Sequence, residues 1–230
     1  MSTYLELCKN MARDIGIPGT GPVDVTSSLS EEENAVVRYV KQADIDIQSR
    51  WFNWNFLWTE VTFTPVAGTS TLTSPSNLGN WKLQSFVFSK GSNDYQELEY
   101  MDWDDYNLEY NLGVIDSATP EVFSVKPDNV IDLYPTPNAT TAISAAYWKT
   151  PTAMSADDSE SPIPVRFHKI ITARAKIYYS EAEDAPEILA GALAEFEDLL
   201  DKLEADQLSG QKNRRFSRAQ NIDSFTVVPQ

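Results

Sequence analysis

Hydrophobic and polar positions follow a helical period at both ends of this chain and a strand-like period in its middle. Near the N-terminus, apolar residues recur at three- and four-residue spacings over 3–15, which predicts a first helix that ends at Gly16. Ser30 and Glu33 have the spacing of a capping box, so we expect a second helix over about 31–53. Its apolar stripe consists of Val36, Val37, Tyr39, Val40, Ala43, Ile45 and Ile47.

The pattern changes over 57–150 to short runs of β-branched and aromatic residues, which Gly, Pro, Asn and Asp separate. Such runs are typical of antiparallel strands joined by turns. The predicted strands cover 57–64, 69–73, 83–89, 121–125, 130–134 and 140–148. The last two are predicted to form a hairpin through a turn that holds Pro135 and Pro137, and a short helix is predicted over 101–110.

Helical periodicity returns after a polar, acidic loop at 151–161. The third helix is predicted to open at 162–164, because Pro is tolerated in a first turn, and to run to about 182. The fourth begins after Asp184 and ends near Leu208. Because the loop between these two helices is short, we expect them to pack antiparallel.

The predicted fold class is therefore α+β. We expect a helical bundle from the N- and C-terminal helix pairs, an inserted antiparallel β-rich domain, and an extended C-terminal arm. The predicted boundaries are 1–56 for the N-terminal helix pair, 57–150 for the β-rich domain, 151–208 for the C-terminal helix pair and 209–230 for the arm.

A dense aromatic cluster connects the second helix to the first strand. Its members are Trp51, Phe52, Trp54, Phe56 and Trp58. So much apolar surface needs something large to pack on, either the rest of the domain or a neighbouring subunit. We expect Trp51 and Trp54 to be buried where the bundle meets the β-rich domain. Ligand binding by the same aromatics is the alternative.

Charge is distributed unevenly along the chain. The net charge is −16, which disfavours nonspecific nucleic-acid binding by the whole surface. Segment 94–116 has no Lys or Arg, and its acids are Asp94, Glu97, Glu99, Asp102, Asp104, Asp105, Glu109 and Asp116. The arm has the opposite charge. Its candidate contacts with the portal or another subunit are basic and apolar: Lys212, Arg214, Arg215, Phe216, Arg218, Phe225, Val227 and Val228. A solubilising tail is the alternative.

Few residues suit catalysis or cofactor binding. Cys8 and His168 are the only cysteine and histidine, so a Cys/His zinc site cannot form, and no phosphate-binding loop, nucleophile elbow or zincin motif occurs. We expect Cys8 to act as a small apolar residue and His168 to face solvent or the edge of the core. We expect no catalytic residue, cofactor or metal.

Three acids keep an enzymatic alternative open. Asp102, Asp104 and Asp105 flank a tryptophan, as in sugar-binding or divalent-cation sites, although a charged first helical turn also accounts for them. A carboxylate-dependent hydrolase, or a carbohydrate- or peptide-binding module, would follow from that interpretation. No apolar run is long enough to cross a membrane, no signal peptide is recognisable, and the lone cysteine fits a reducing cytosol.

The second helix and its exit carry the pattern Ile-Gln-Ser-Arg-Trp-x-x-Trp-x-Phe-Leu over 47–57. This pattern, with the order of helices and β-rich middle, resembles the head-to-tail adaptor proteins of tailed bacteriophages, the group that includes tail tubular protein A of short-tailed phages. The resemblance implies a structural virion protein of the neck, made in the host cytoplasm and without an active site. It also implies a ring, commonly of twelve copies, between the portal protein and the tail or nozzle protein, with DNA passing through the lumen without specific binding.

Overall fold

The computed structural model describes residues 2–27, 29–91, 94–110 and 117–208. Its contacts divide the chain into two compact units. The helical unit consists of Met1–Phe56 and Pro151–Gln230, and the β unit consists of Leu57–Thr150. Helices and mostly antiparallel sheets are both present, so the prediction of an α+β fold is confirmed.

Five α-helices lie within the described ranges: α1 (Tyr4–Asp14), α2 (Glu31–Ser49), α3 (Trp103–Glu109), α4 (Lys169–Ala182) and α5 (Pro186–Gln207). Capping boxes begin the first two, Thr3 with Glu6 in α1 and Ser30 with Glu33 in α2. In each box the hydroxyl and the carboxylate satisfy two backbone amides that the helix leaves free. The predicted start of α2 is confirmed.

Two predicted helix boundaries were wrong. Helix α2 ends at Ser49 rather than near 53, and the indole N–H of Trp54 donates to the carbonyl of Ile47 at 3.0 Å. That bond satisfies an oxygen that helix continuation would otherwise pair. The segment after Pro164 forms a 3-10 turn, Val165–Phe167, before α4 begins at Lys169.

Helix α4 is the centre of the helical unit, because it packs against α1, α2 and α5. Its neighbour α5 runs antiparallel to it, as predicted. Arg166, just before α4, pairs with Asp206 in the last turn of α5, and Lys176 Nζ lies 2.7 Å from Glu195 Oε2 midway along both helices. The apolar core between these helices includes Leu7, Met11, Val36, Val40, Ile47, Ile170, Ile171, Ile177 and Leu203.

The β unit contains the strands of the described chain: β1 (Trp58–Phe63), β2 (Thr71–Leu72), β3 (Leu78–Trp81), β4 (Val87–Gly91), β5 (Asp94–Glu97), β6 (Glu99–Tyr100), β7 (Ser117–Ala118), β8 (Val122–Val125), β9 (Ile131–Tyr134), β10 (Thr136–Pro137) and β11 (Ile143–Lys149). One sheet has the order β1-β11-β4-β5, and β3 also pairs with β11. A second has the order β2-β9-β8-β6, and β7 pairs with β10. The pairs β6–β8 and β7–β10 are parallel, and the other pairs are antiparallel.

The predicted hairpin between 130–134 and 140–148 was wrong. Strand β9 pairs with β8 and β2, whereas β11 pairs with β1, β3 and β4 in the other sheet. The hairpin partner of β9 is β8, because the Pro127-Asp128-Asn129 turn joins them. Asn129 has φ +64°, a conformation that Asn tolerates better than most residues, and Lys126 N–H donates to the carbonyl of Val130 at 2.8 Å.

An aromatic and aliphatic core fills the β unit. Phe86 stacks on Phe123 with ring centroids 4.0 Å apart, and Trp81 lies edge-on to Phe86 at 5.2 Å. Leu72, Ile131, Leu133 and Ile143 complete the cluster.

Candidate functional site

The acids that suggested an enzyme lie at the start of α3. Asp102 is its N-cap, and its Oδ1 accepts the backbone N–H of Asp104 at 3.2 Å. The ring of Trp103 stacks with Tyr106, and the ammonium of Lys126 lies 5.2 Å from its centroid. Within the four described ranges, no group of three metal-type side chains could hold an ion. The geometry is that of a capped, solvated helix turn.

These acids belong to a larger acidic surface on the β unit. Its members are all exposed: Asp94, Glu97, Glu99, Asp102, Asp104, Asp105 and Glu109. None of these seven carboxylates forms an ion pair with any described residue. The eighth predicted member, Asp116, lies outside the described residues. Exposed carboxylates without a cationic partner make the local potential negative, and a negative potential repels phosphate groups.

The aromatic cluster divides into a buried part and an exposed part. Trp54 is fully buried, and its ring stacks with Phe56 at a centroid distance of 5.3 Å. Trp51 is 43% exposed and Phe52 is 60% exposed, so the predicted burial of Trp51 was wrong. The early end of α2 explains the difference, because Trp51 then lies over α5, where its indole N–H donates to Glu204 Oε1 at 3.0 Å. Trp58, the first residue of β1, is also 43% exposed.

A charged groove lies in the helical unit, and one of its lining residues, Arg50, directly precedes Trp51 in the chain. It has a volume of about 230 Å³, and its lining residues are Asp46, Ile47, Ser49, Arg50, Arg174 and Phe196. Arg174 donates to Asp46 at 3.2 Å, and its guanidinium lies 5.5 Å from the ring centroid of Phe196. Burial raises the pKa of Asp46, but hydrogen bonds from Tyr178, Gln42 and Arg174 outweigh it and hold that pKa below its usual value.

A buried polar network near Asp44 was not predicted from the sequence. Asp44 is fully buried, and it accepts hydrogen bonds from Ser161 Oγ at 2.5 Å and Gln48 Nε2 at 2.8 Å. The side-chain oxygen of Gln48 in turn accepts the N–H of Thr152 at 3.0 Å. Burial raises the pKa of Asp44 to about 6 despite these donors. The network connects α2 to the segment before α4.

One sequence signal could have revealed that network. Asp44 and Gln48 are four residues apart, and each directly follows a buried residue of the apolar stripe, Ala43 and Ile47. A polar residue on such a flank lies inside whenever the helix is covered on a broad face. The apolar stripe was therefore assigned too narrowly.

The single histidine and the single cysteine are both buried. His168 is 3% exposed, so its predicted position at the surface or core edge was wrong. Its Nε2 lies 2.8 Å from the carbonyl of Ile163, which accepts a hydrogen bond from it. Cys8 is fully buried, as expected of a small apolar residue, and burial raises the pKa of its thiol to about 12. A thiol of that kind is a poor nucleophile near neutral pH.

The predicted contacts of the C-terminal arm lie outside the described residues, which end at Leu208. They are Lys212, Arg214, Arg215, Phe216, Arg218, Phe225, Val227 and Val228. In the part of the chain that is described, no helix is both long enough and apolar enough to cross a lipid bilayer.

The chain thus has an α+β fold with exposed aromatic side chains on its helical unit and exposed acidic side chains on its β unit. Residues 2–222 match the family described as SU10 adaptor protein. The chain therefore belongs to the SU10 adaptor protein family. No curated protein matches the chain.

Membership gives the coarse function. The protein is a structural head-to-tail adaptor of a bacteriophage, and membership implies a position at the virion neck in association with portal and tail proteins. A structural family also supports a non-enzymatic role. The finer likeness to tail tubular protein A stays a prediction.

Proposed function

We propose that the protein assembles into a ring of twelve copies between the portal protein and the tail or nozzle protein, with DNA passing through its lumen. The match over residues 2–222 to an adaptor family carries this proposal. The copy number follows from the resemblance to phage head-to-tail adaptors. The same resemblance implies that the helices would meet the portal and that the β-rich region would meet the tail or nozzle.

Exposed aromatic residues support a subunit or portal interface on the helical unit. Trp51 and Phe52 are 43% and 60% exposed in the single chain, and the guanidinium of Arg50 and the indole of Trp51 both donate to Glu204 Oε1. Trp and Arg are the residues that most often carry binding energy at protein interfaces. A neighbouring protein in the ring would cover this surface.

The acidic surface supports a lumen that does not retain DNA. Proteins bind duplex DNA largely by releasing counterions from phosphates, which requires Lys or Arg at the contact. The acidic surface offers seven exposed carboxylates without an ion-pair partner among the described residues. If the acidic surface lines the lumen, it would repel DNA, and DNA would move along the lumen without being bound.

The basic arm is the proposed attachment element. Its arginines would meet carboxylates on the portal or on an adjacent copy, and its apolar end would anchor it. Charge-assisted Arg–carboxylate bonds are the strong class of polar contact, and they weaken as salt rises at exposed sites. The net charge of −16 leaves the rest of the chain strongly acidic once the four basic residues of the arm are set apart.

Mass photometry of the full chain, alone and with purified portal protein, tests the ring. We expect a particle of about twelve copies, either free or on the portal. A protein that stays monomeric under both conditions would contradict the proposal.

Deletion of 211–230 tests the arm separately. We expect an unchanged melting transition together with portal attachment that is weaker and more salt-sensitive. Deletion of 221–230 alone removes the apolar end and keeps Lys212 and Arg218. This variant therefore tests the basic part of the arm without its apolar end. Normal portal attachment by the 211–230 deletion would rule out the role of the arm.

A further inference from the structure

Strand β1 is an edge of the five-stranded sheet. It pairs with β11 along its whole length, and none of the described strands pairs with its other side. The side chains of Trp58, Glu60 and Thr62 are exposed, whereas Val61 and Phe63 pack partly against the core. A six-residue edge with apolar groups on both faces is long enough to accept another strand.

The backbone geometry shows which N–H and C=O groups of β1 point away from β11. The carbonyl of Ala146 accepts the N–H of Lys82 at 3.0 Å, so Ala146 directs its backbone away from β1. Ala146 lies opposite Glu60, which makes this a non-hydrogen-bonded pair of the antiparallel ladder. Glu60 therefore points its N–H and C=O to the open edge, and Trp58 and Thr62, two residues to either side, do the same.

The end of the C-terminal arm has the sequence of a short strand. Phe225 and Val227 alternate with Thr226 and Val228, and all four residue types are favoured in strands. Pro229 follows and lacks an amide hydrogen, so it ends such a strand. An alternating strand of this kind would place an apolar residue next to each of the two partly apolar faces of β1.

The arm is long enough to leave its own helical unit. Phe225 lies 17 residues beyond Leu208, and an extended chain of that length spans about 55 Å. A compact domain of 100 residues has a radius of gyration of only about 13 Å. The arm can therefore place its apolar end on a neighbouring copy.

Charge favours the arm over β5, another edge strand of the same sheet among the described strands. Strand β5 is the opposite edge, and its Asp94 and Glu97 are exposed. Pairing β5 of one copy with β1 of the next would bring these carboxylates toward Glu60, and like charges across a strand pair are destabilising. The arm instead carries four basic residues and one acid.

We propose that 225–228 of one copy adds as a strand to the open edge of β1 in a neighbouring copy. The incoming backbone bonds to the outward N–H and C=O groups of Trp58, Glu60 and Thr62, and β1 becomes an interior strand. The inference rests on the proposed ring, which supplies the neighbouring copy. Strand addition of this kind takes its affinity from backbone hydrogen bonds and its specificity from alternate side chains.

A disulfide scan in the full chain tests this pairing. A tagged Thr62→Cys chain is mixed with untagged chains that carry one substitution each, Phe225→Cys, Thr226→Cys, Val227→Cys or Val228→Cys, and the mixed disulfide is measured after mild oxidation. Native Cys8 is fully buried and does not compete. Because only a directly opposite pair on one face of a sheet approaches the Cβ separation that a disulfide needs, we expect one of the four positions to cross-link at least about ten times more than the positions next to it in the chain. Equal yields at all four positions would overturn the proposal.

A matched pair of edge variants gives an independent readout. Glu60→Pro removes the outward N–H but leaves the ladder with β11 intact, whereas Glu60→Ala removes the same carboxylate and keeps the N–H. We expect Glu60→Pro to lower the mixed disulfide at least about tenfold and Glu60→Ala to preserve it. Equal cross-linking by both variants would count against strand addition.

Mass photometry of the same samples separates this inference from the proposed function. If rings form but all four cysteine positions cross-link equally, strand addition is wrong and the proposed ring is unaffected. If Glu60→Pro abolishes the rings and the four cysteine positions still cross-link equally, the arm is not the strand that pairs with β1. Another strand, such as β5 of a neighbouring copy, would then occupy this edge. A chain that forms no ring with or without portal, and no mixed disulfide, would overturn both.

Discussion

Trp54 holds the exit of α2 against the helical core. Its side chain is fully buried, and its indole N–H donates to the carbonyl of Ile47. We expect Trp54→Ala to lower the free energy of unfolding by about 3–5 kcal/mol, because it leaves a large cavity and removes a buried hydrogen bond. Trp51→Ala is the control, and we expect a loss of about 1 kcal/mol from a side chain that is 43% exposed. Urea denaturation checks both, and equal losses would contradict the division of the cluster.

Asp44 should make the stability of the protein depend on pH. Burial raises its pKa from 3.8 to about 6, so the folded state holds a proton between these values that the unfolded state has released. The contribution of Asp44 to the free energy of unfolding is therefore fully present below about pH 4. It is lost as the pH rises through 6, and the loss amounts to at most about 3 kcal/mol. We expect the free energy of unfolding of wild type to fall from pH 4 to pH 7 relative to that of Asp44→Asn.

The comparison of wild type with Asp44→Asn separates the pH dependence that Asp44 causes from that of the other acids. Asp46 lies on the same helix and has a lowered pKa, so it acts in the opposite direction. Asp46→Asn is thus the matched control for Asp44→Asn. A wild-type pH profile that Asp44→Asn leaves unchanged would refute the assignment.

At the scale of elements, the capping box of α2 contributes locally to stability. The backbone N–H of Glu33 donates to Ser30 Oγ at 3.2 Å, and the N–H of Ser30 donates to Glu33 Oε2 at 2.9 Å. We expect Ser30→Ala to cost about 1 kcal/mol of unfolding free energy. Lys41→Ala, at an exposed position in the middle of the same helix, should change it by less than about 0.5 kcal/mol. Chemical denaturation distinguishes the two, and a similar effect from both would argue against a specific cap.

Elements whose signal lies within one segment were predictable. Helices α1 and α5 and strand β1 follow from their own periodicity and from end signals such as Gly16 and Pro186. Strands β3, β5, β6, β7 and β10 were missed, because a strand of two to four residues is too short to show a period of its own. Such strands form only because a partner strand lies beside them, and no local pattern contains that information.

At the scale of the whole molecule, the acidic surface should control how the assembled ring treats DNA. We expect the wild-type ring to bind duplex DNA negligibly. Asp104→Lys, Asp105→Lys and Glu109→Lys together should raise affinity at least tenfold at about 50 mM salt, with most of the gain lost at about 200 mM. Fluorescence polarisation with a short labelled duplex measures both.

A charge-matched control tests the location rather than the amount of charge. Glu181, Glu187 and Glu197 are exposed acids of the helical unit, and their replacement by Lys changes the net charge equally. We expect a smaller gain in DNA affinity from this control, because the proposal assigns the lumen to the β unit's acidic surface. An equal gain would show that the acidic surface does not line the passage.

The sequence by itself determined the α+β class, the starts of α1, α2 and α5, most of the longer strands and the resemblance to phage adaptors. These features depend on hydrophobic period, capping residues and a local pattern around the end of α2, which are all short-range. The prediction of a structural adaptor came from that pattern, and the family match over 2–222 supports it.

Only the tertiary structure decided which neighbours each element has. It placed β9 and β11 in different sheets, exposed Trp51 while burying Trp54, and buried Asp44 and His168. It also left β1 with an open edge among the described strands. Pairing and burial depend on contacts between residues far apart in the chain, whereas a sequence pattern records only what is near.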